Sequence, residues 1–520
     1  MTQYTNETEP GKSFLLTYGA DDEGNAETLA RLYPGRFLYC DALGWLAYTG
    51  THWATDGAEA QLDRAVVDTL QKRRLAAVVE NQENVVKATR QNAGRIYGCK
   101  ALLKSKVWAA MDSFDSDPDL LNAQNGVIDL RTGSLRAHSP ADRFTYCTPA
   151  AYDPDADGTL WESLLIENLQ SAAYSDQEFE TLLRFVQKAV GYSLTGHTKE
   201  ECMFFLNGPT RAGKGVFCET ILYLLGQPLA ATVQFGAFTA ARGRNDQGFD
   251  LAGLWPCRFI TASESDEGDW LNSTQVKNVT GGGEIRCAFK NRDPFDYRPR
   301  YKIWFASNFP VRGDPDDDAL WGRLRVIRFP NSHDGAEDMT LKERLTEPEA
   351  LAGLLAWAVK GAVMWYAEGL GRPAVVMTVT RNARNELDYV AQWMAQCLVQ
   401  VKPEDKYDEE GRMKHVLSNQ QVFGSYQTWC AENGIQARGL TNLKRAMASK
   451  GCELTTQTVR QPGTDKVVRG VLHIRFKTPE EVKEAAETAE REQMAQQGPA
   501  HSKGNGRHPE PQAERQELCL

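Results

Sequence analysis

The clearest chemical vocabulary in the chain lies at Gly208-Pro209-Thr210-Arg211-Ala212-Gly213-Lys214-Gly215-Val216. This run fits the pattern G-x-x-x-x-G-K-[ST] up to its last position, where Gly215 replaces the hydroxyl residue. Glycines let backbone N–H groups turn inward around phosphate oxygens, and the positive end of a following helix adds to the attraction. Lys214 supplies a cation for the β- and γ-phosphates. The chemistry implied is binding of ATP with Mg²⁺, although Gly215 offers no oxygen to the metal. An ordinary glycine-rich turn between strand and helix is the competing reading of the loop taken alone.

Two later groups suit the same chemistry. The apolar run PCRFIT (256–261) reads as a strand, and an acidic turn containing Glu264 follows it. A carboxylate at such a tip can hold Mg²⁺ or its water, which makes Glu264 the candidate metal residue. Asn308 follows the strand-like run 301–307 and suits orientation of water against a γ-phosphate. In 314–329 arginines alternate with apolar residues. That pattern reads either as a strand face with solvated charges or as an arginine finger reaching a neighbouring subunit's nucleotide.

These side chains need a scaffold. The run 203–206 has the length of a buried strand, and Val216, Phe217, Thr220, Ile221 and Leu224 have helical spacing. Asn125-Gly126 and Thr132-Gly133 mark turns around a strand at 127–130, and another strand is predicted at 144–148. Helices are predicted at 159–172, 176–190 and 348–366. Residues 1–100 alternate aromatic runs with a helix-prone stretch from Ala58 to about Val107, and carry no catalytic constellation.

Composition sets the outer limits. With 520 residues the chain can form several domains. A formal net charge of −10 argues against a generally basic nucleic-acid coat, so DNA contact must come from local clusters or an interior channel. Eleven cysteines without a C-x-x-C pair indicate neither a zinc site nor a disulfide framework, and a reducing cytoplasm is the expected setting. The start lacks a basic region followed by an apolar stretch, and no run is expected to span a membrane.

Seven stretches, in order, resemble the helicase half of the phage/plasmid primase family, which includes the poxvirus primase-helicase and belongs to the superfamily 3 helicases. They are FDSDPDLLNAQNGVIDLRTG, GYSLTG, GPTRAGKG, ASESDEG, VKNVTGGGEIRC, DPFDYRPRYKIWFASN and LWGRLRVIRF, within about residues 114–330. The resemblance implies an α/β fold with an AAA+-like P-loop NTPase core that assembles as a hexameric ring and moves a DNA strand through its centre. It implies Lys214 as the phosphate-loop lysine, Glu264 as the metal-site acid, Asn308 as the polar sensor and Arg323 as the finger, with Arg325 a weaker candidate. Between Gly281 and Phe295 it implies a DNA-contacting hairpin in which Arg286, Phe289, Lys290 and Arg292 supply cations and a stacking face. Two positions depart from the family, Ala212 where Asn is frequent and Gly215 where Ser or Thr is frequent. No primase polymerase domain is recognisable ahead of the matching stretches.

In the last third, helices are predicted at 380–401, 418–433 and 440–450, followed by strand-like runs at 454–459 and 467–476. This is a winged-helix layout, which the family's carboxyl-terminal module also has. Between Arg438 and Phe476 eight cations face two carboxylates. Lys444 and Arg445 would face DNA from a recognition helix, with Arg460, Lys466 and Arg469 on the wing. The predicted organisation is an α+β region at 1–113, a helicase-associated domain at 114–196, an ATPase domain at 197–375, a winged-helix module at 376–478 and a disordered tail at 479–520. The expected protein is an ATP-dependent replicative helicase of a phage, prophage or mobile element, with single-stranded or forked DNA and a primase or initiator as partners. The alternative is a non-enzymatic origin-binding or loading protein that uses nucleotide only as an assembly switch.

Overall fold

This computed structural model describes residues 14–234, 251–263, 270–288, 294–336, 338–410, 412–455, 457–464, 466–482 and 484. Glu264, Phe289, Lys290, Arg292 and most of the expected tail lie outside the described residues. The chain divides into two compact units, Met1–Leu387 and Asp388–Leu520. The boundary expected at 376 therefore falls inside a helix of the first unit.

The first unit begins with α1 (Asp22–Leu32), capped by the Asp21 carboxylate, which accepts from Gly24 N at 2.7 Å. Aromatic runs form an antiparallel sheet of β1 (Phe37–Cys40), β2 (Gly44–Tyr48) and β3 (Trp53–Ala54). The helix-prone stretch splits into α2 (Ala58–Val79), α3 (Glu83–Ala88) and α4 (Ala93–Lys106). A second antiparallel sheet contains β4 (Leu120–Ala123), β5 (Gly126–Asp129) and β6 (Ser134–Arg136). The strand expected at 144–148 is absent. Its bonds go to three different segments, with Trp53 N donating to Phe144 O, Thr145 N to Asp115 Oδ1 and Thr148 N to Asn122 O, so no ladder forms.

Two helices lead to the central sheet, α5 (Thr159–Leu169) and α6 (Asp176–Leu194). Ser175 and Glu178 close a reciprocal capping box at the start of α6. There follow β7 (Met203–Asn207), α7 (Lys214–Leu225), β8 (Ala230–Gln234), β9 (Phe259–Ser263), α8 (Ser273–Thr280), β10 (Ile285–Cys287), β11 (Phe295–Tyr297), β12 (Lys302–Ser307), α9 (Asp318–Arg323) and β13 (Leu324–Arg328). Five of these strands make one parallel sheet in the order β13-β7-β12-β9-β8. The two neighbouring strands at its middle, β7 and β12, read as nearly continuous apolar runs because both faces are covered. Phe204, Leu206, Trp304 and Ile327 pack against α5, α6, α7 and α11 (Pro348–Glu368), while Met203, Phe205, Ile303 and Val326 pack against α8, α9 and α12 (Ala374–Glu386). A short α10 (Leu341–Leu345) precedes α11.

α11 is where the membrane expectation is tested. It is long and apolar enough to cross a membrane by length and composition, and most of it is buried against the rest of the first unit. The alternating run 314–329 is also corrected. Asp317 caps a helix by accepting from Leu320 N at 3.0 Å, so Arg323 closes α9 while Arg325 and Arg328 lie in the strand that follows.

In the second unit the helix expected at 380–401 does not run through. Asp388 accepts from Ala391 N at 2.9 Å and starts α13 (Tyr389–Cys397), which gives way to β14 (Leu398–Gln400). Next come β15 (Val416–Ser418), α14 (Asn419–Glu432) and α15 (Leu440–Ser449). The two expected strand runs divide into β16 (Glu453–Leu454), β17 (Val459–Arg460), β18 (Val467–Val468), β19 (Gly470–Leu472) and β20 (Ile474–Phe476). His473, at φ 57°, breaks the last run, so β19 pairs with β15 and β16 while β20 pairs with β14. Trp393, Tyr426, Trp429, Leu443 and Met447 join one core.

Candidate functional site

The loop Gly208–Gly213 joins the carboxyl end of β7 to the amino end of α7, as the spacing predicts. Two glycines are required by the geometry. A Cβ at Gly208 would lie 1.9 Å from Phe329 O, and Gly213 combines φ 81° with an Asn168 side chain 2.2 Å from where its Cβ would be. Gly215 differs, since the nearest atom to a Cβ there is Glu219 Oε1 at 3.9 Å.

Lys214 is buried at 6% exposure, and its ammonium donates to Gly208 O at 2.8 Å, Pro209 O at 2.7 Å and Asn308 Oδ1 at 2.9 Å. Parallel pairing makes this meeting possible. β12 lies beside β7 with Ser307 opposite Asn207, so the residues that follow the two strands, Asn308 and Gly208, come side by side. Burial lowers the pKa of Lys214. The cradle presents a cation, a loop of backbone N–H groups and a helix start at one edge of the sheet, which fits the phosphate chain of a nucleotide.

The metal is less well served. Among the described residues, no group of three or more His, Cys, Asp or Glu side chains could hold a metal ion. Gly215 has no side-chain oxygen, and Glu264 lies outside the described residues. The loop and the Lys214 ammonium fit the phosphates of a nucleotide.

A strap that the sequence did not reveal braces the loop. Ser332 Oγ donates to Thr210 O at 2.9 Å, His333 N donates to Arg211 O at 3.0 Å, and Arg211 pairs with Asp334. His333 Nε2 also lies 2.8 Å from Asn168 Oδ1, tying the strap to α5. These partners stand more than 100 positions apart, and no local pattern announces them. Ala212 is buried, Val216 packs beside the core at the first turn of α7, and Pro209, Thr210 and Arg211 are exposed.

Arg323 and Arg325 occupy the opposite edge of the sheet. Arg323 donates to Glu201 Oε2 at 2.8 Å, Thr280 Oγ1 at 3.1 Å and Ala319 O at 3.2 Å, so its own chain holds it. Arg325 is 2% exposed and turns to Gly322 O and Leu324 O, both at 2.8 Å. The two do not share a strand face, as the sequence had suggested.

The expected hairpin has its described base in the β10–β11 ladder, where exposed Arg286 faces Asp296. In the second unit α15 buries Leu443, Ala446 and Met447, leaving Arg445 exposed and Lys444 half-buried. Arg460, Lys466 and Arg469 are exposed on and beside the β17–β18 hairpin. Two cations of the basic segment find carboxylates beyond it, Lys450 with Asp388 and Arg475 with Glu481, each at 2.8 Å. The local positive excess is smaller than the sequence count suggests.

With this geometry in hand, two families match parts of the chain. A D5 N terminal like family matches residues 26–170, and a family of unknown function (DUF5906) matches residues 206–325. The first match reaches well ahead of residue 114, where the sequence resemblance begins. A protein of Acanthamoeba polyphaga mimivirus named "Putative helicase" is 25% identical, covering 56% of this chain and 31% of the relative. The "Uncoating factor" of Vaccinia virus is also 25% identical, covering 44% of this chain and 31% of the relative. The chain thus spans about a third of those relatives' own length. The solved C-terminal region of NrS-1 covers 87% of this chain and 99% of that chain at a TM-score of 0.49 and 10% identity. The chain is similar to virus and phage primase-helicases of superfamily 3, and the sequence resemblance is borne out.

Proposed function

We propose that this chain is an ATP-hydrolysing helicase core that works on DNA as a ring of identical copies, built on an AAA+-like P-loop unit with a winged-helix module after it. The single observation that carries this reading is the Lys214 ammonium, buried against Gly208 O, Pro209 O and Asn308 Oδ1 at the carboxyl edge of an all-parallel sheet. A triphosphate entering the loop exchanges those carbonyls for phosphate oxygens. Lys214 then neutralises charge on the β- and γ-phosphates, and Asn308, released from the lysine, is free to orient water. Mg²⁺ would add charge neutralisation at the phosphates, with Glu264 as its proposed residue. Similarity to proteins named helicases in large DNA viruses supports the DNA-directed part of the reading.

Arg323 fits the finger role only if its pair with Glu201 opens when a second copy docks. Arg286, Phe289, Lys290 and Arg292 are proposed to grip one strand, and Lys444, Arg445, Arg460, Lys466 and Arg469 to contact duplex or forked DNA. A second reading, nucleotide as an assembly switch without turnover, is favoured by Gly215, which offers no hydroxyl to a metal. Steady-state ATP hydrolysis with and without single-stranded DNA separates the two. Turnover that rises with DNA and is lost in Lys214→Ala supports the helicase; ATP binding without turnover in the intact chain supports the switch.

A further inference from the structure

Asn168, near the end of α5, is buried against the phosphate loop at 1% exposure. Its Oδ1 lies 2.8 Å from His333 Nε2, and because an amide oxygen can only accept, the imidazole carries its hydrogen there and donates. The other half of the amide is unpaired. Asn168 Nδ2 is closed to solvent and has no hydrogen-bond partner among the described residues. It presses on the last turn of the loop, since a Cβ built on Gly213 would lie 2.2 Å from it. Native folds rarely leave a buried amide N–H without an acceptor, because its desolvation goes uncompensated. His333 holds the amide in the orientation that keeps it so, and His333 is itself fixed. Its N–H donates to Arg211 O at 3.0 Å, and the neighbouring Asn331 Nδ2 donates to Glu167 O at 2.7 Å and Gln170 O at 2.8 Å at the end of α5.

Neither water nor a phosphate reaches this nitrogen, so its acceptor has to be a backbone oxygen of the loop it touches. A loop of this kind binds phosphates through its N–H groups, and a peptide unit that turns its N–H inward to a phosphate turns its oxygen outward. At Gly213 the buried outer side is where Asn168 Nδ2 stands. We propose that Asn168 is a positioning residue for nucleotide binding: its Nδ2–H donates to the peptide oxygen that the Ala212–Gly213 end of the loop turns outward when phosphates enter, while His333 holds the amide in the orientation that offers this donor. Asn168 thereby favours the phosphate-bound loop over the one in which Lys214 rests on Gly208 O and Pro209 O. It touches neither the phosphates nor the reacting atoms and acts through the loop backbone alone. This inference deepens the proposed function and rests on it.

The test compares the intact full chain with Asn168→Leu, which keeps the size of the side chain and removes the orphan donor, and with His333→Ala and His333→Gln. Binding of a non-hydrolysable ATP analogue with Mg²⁺ is followed by calorimetry, the thermal midpoint is measured without added nucleotide, and KM and kcat are separated in ATP hydrolysis. Asn168→Leu is expected to bind about tenfold more weakly, with KM raised alike, kcat nearly unchanged and the midpoint equal or higher, because an unpaired buried donor is gone. A side chain that merely braces the fold gives the opposite pattern, a lower midpoint with KM unmoved. His333→Ala, which lets the amide turn, should weaken binding severalfold, and His333→Gln, whose amide N–H donates to Asn168 Oδ1 in the same way, should restore it. Unchanged affinity or a lower midpoint in Asn168→Leu, or no rescue by His333→Gln, overturns the positioning role and leaves the proposed function standing. If Asn168→Leu yields no folded protein, the two His333 variants decide by the same rule, and in a chain that binds nucleotide without turnover the affinities and midpoints decide alone. An intact chain that binds no nucleotide overturns the proposed function and the positioning role together.

Discussion

The two edges of the central sheet use buried cations in opposite ways. At the carboxyl edge Lys214 rests on Gly208 O, Pro209 O and Asn308 Oδ1, beside a loop whose middle, Pro209 to Arg211, is exposed. At the amino edge Lys302, 2% exposed, donates to Thr195 O, Arg300 O and His197 O, while Arg258 donates to Leu194 O and Asp117 O. Both edges pair cations with backbone carbonyls. Leu194 O and Thr195 O at the amino edge are carbonyls at the buried end of α6, so the cations that cap them hold the fold together. Those at the carboxyl edge belong to a loop open to solvent, so the lysine can change partners. A buried lysine on carbonyls is thus structural or functional according to whether its surroundings are closed.

The sharpest way to break this comparison is to remove each lysine. Lys214→Ala should lower ATP turnover by roughly 10²–10³-fold or more with the thermal midpoint nearly unchanged. Lys302→Ala should cost roughly 2–4 kcal/mol of stability, because several buried carbonyls lose their donor. Turnover and thermal midpoint measured on both proteins decide the matter. Equal loss of fold in the two would erase the distinction.

Within the loop, Gly213→Ala and Gly215→Ser should separate strongly. The first forces a side chain into φ 81° against Asn168 and should lose nucleotide binding along with stability. The second enters open space and should leave the fold unchanged, with ATP hydrolysis intact or with less Mg²⁺ needed for half-activity. Nucleotide titrations at several Mg²⁺ concentrations check both, and a severe loss from Gly215→Ser would mean that a bare backbone is needed there.

The smallest effect concerns Asp115 at the amino edge. Burial pushes its carboxyl from 3.8 up to about 6, against the pull of the Thr145 hydrogen bonds and of Arg258 and Arg300. The folded state therefore binds the proton more tightly than the unfolded chain, and the stability this gives is lost as pH rises from about 3.8 to about 6. The thermal midpoint of the protein relative to Asp115→Asn should fall by a few degrees across that window. A difference that stays flat with pH would remove Asp115 from the charge balance of this edge.

Local patterns carried the strand, loop and helix around Lys214, because the length of an apolar run, glycine spacing and helical periodicity are all written within some twenty consecutive residues. They also carried the start of α6, expected at 176 and found at Asp176. Other features depended on which segments meet. The stretch 144–148 has strand-like composition, yet its donors and acceptors are claimed by Trp53, Asp115 and Asn122. Arg323 looked like part of a strand until the Asp317 cap set a helix in front of it.

By itself, then, the sequence determined an α/β chain with a phosphate-loop pattern, an apolar core and a resemblance to superfamily 3 helicases. Only the tertiary structure decided that Asn308 would meet Lys214, that 332–334 would brace the loop, that Glu201 would hold Arg323, and that Arg372 would stand beside Arg325. The physical reason is range. Helix and strand patterns are set by neighbours within a few positions, whereas parallel pairing joins strand ends about a hundred residues apart, and no single-sequence pattern encodes which ends will be adjacent.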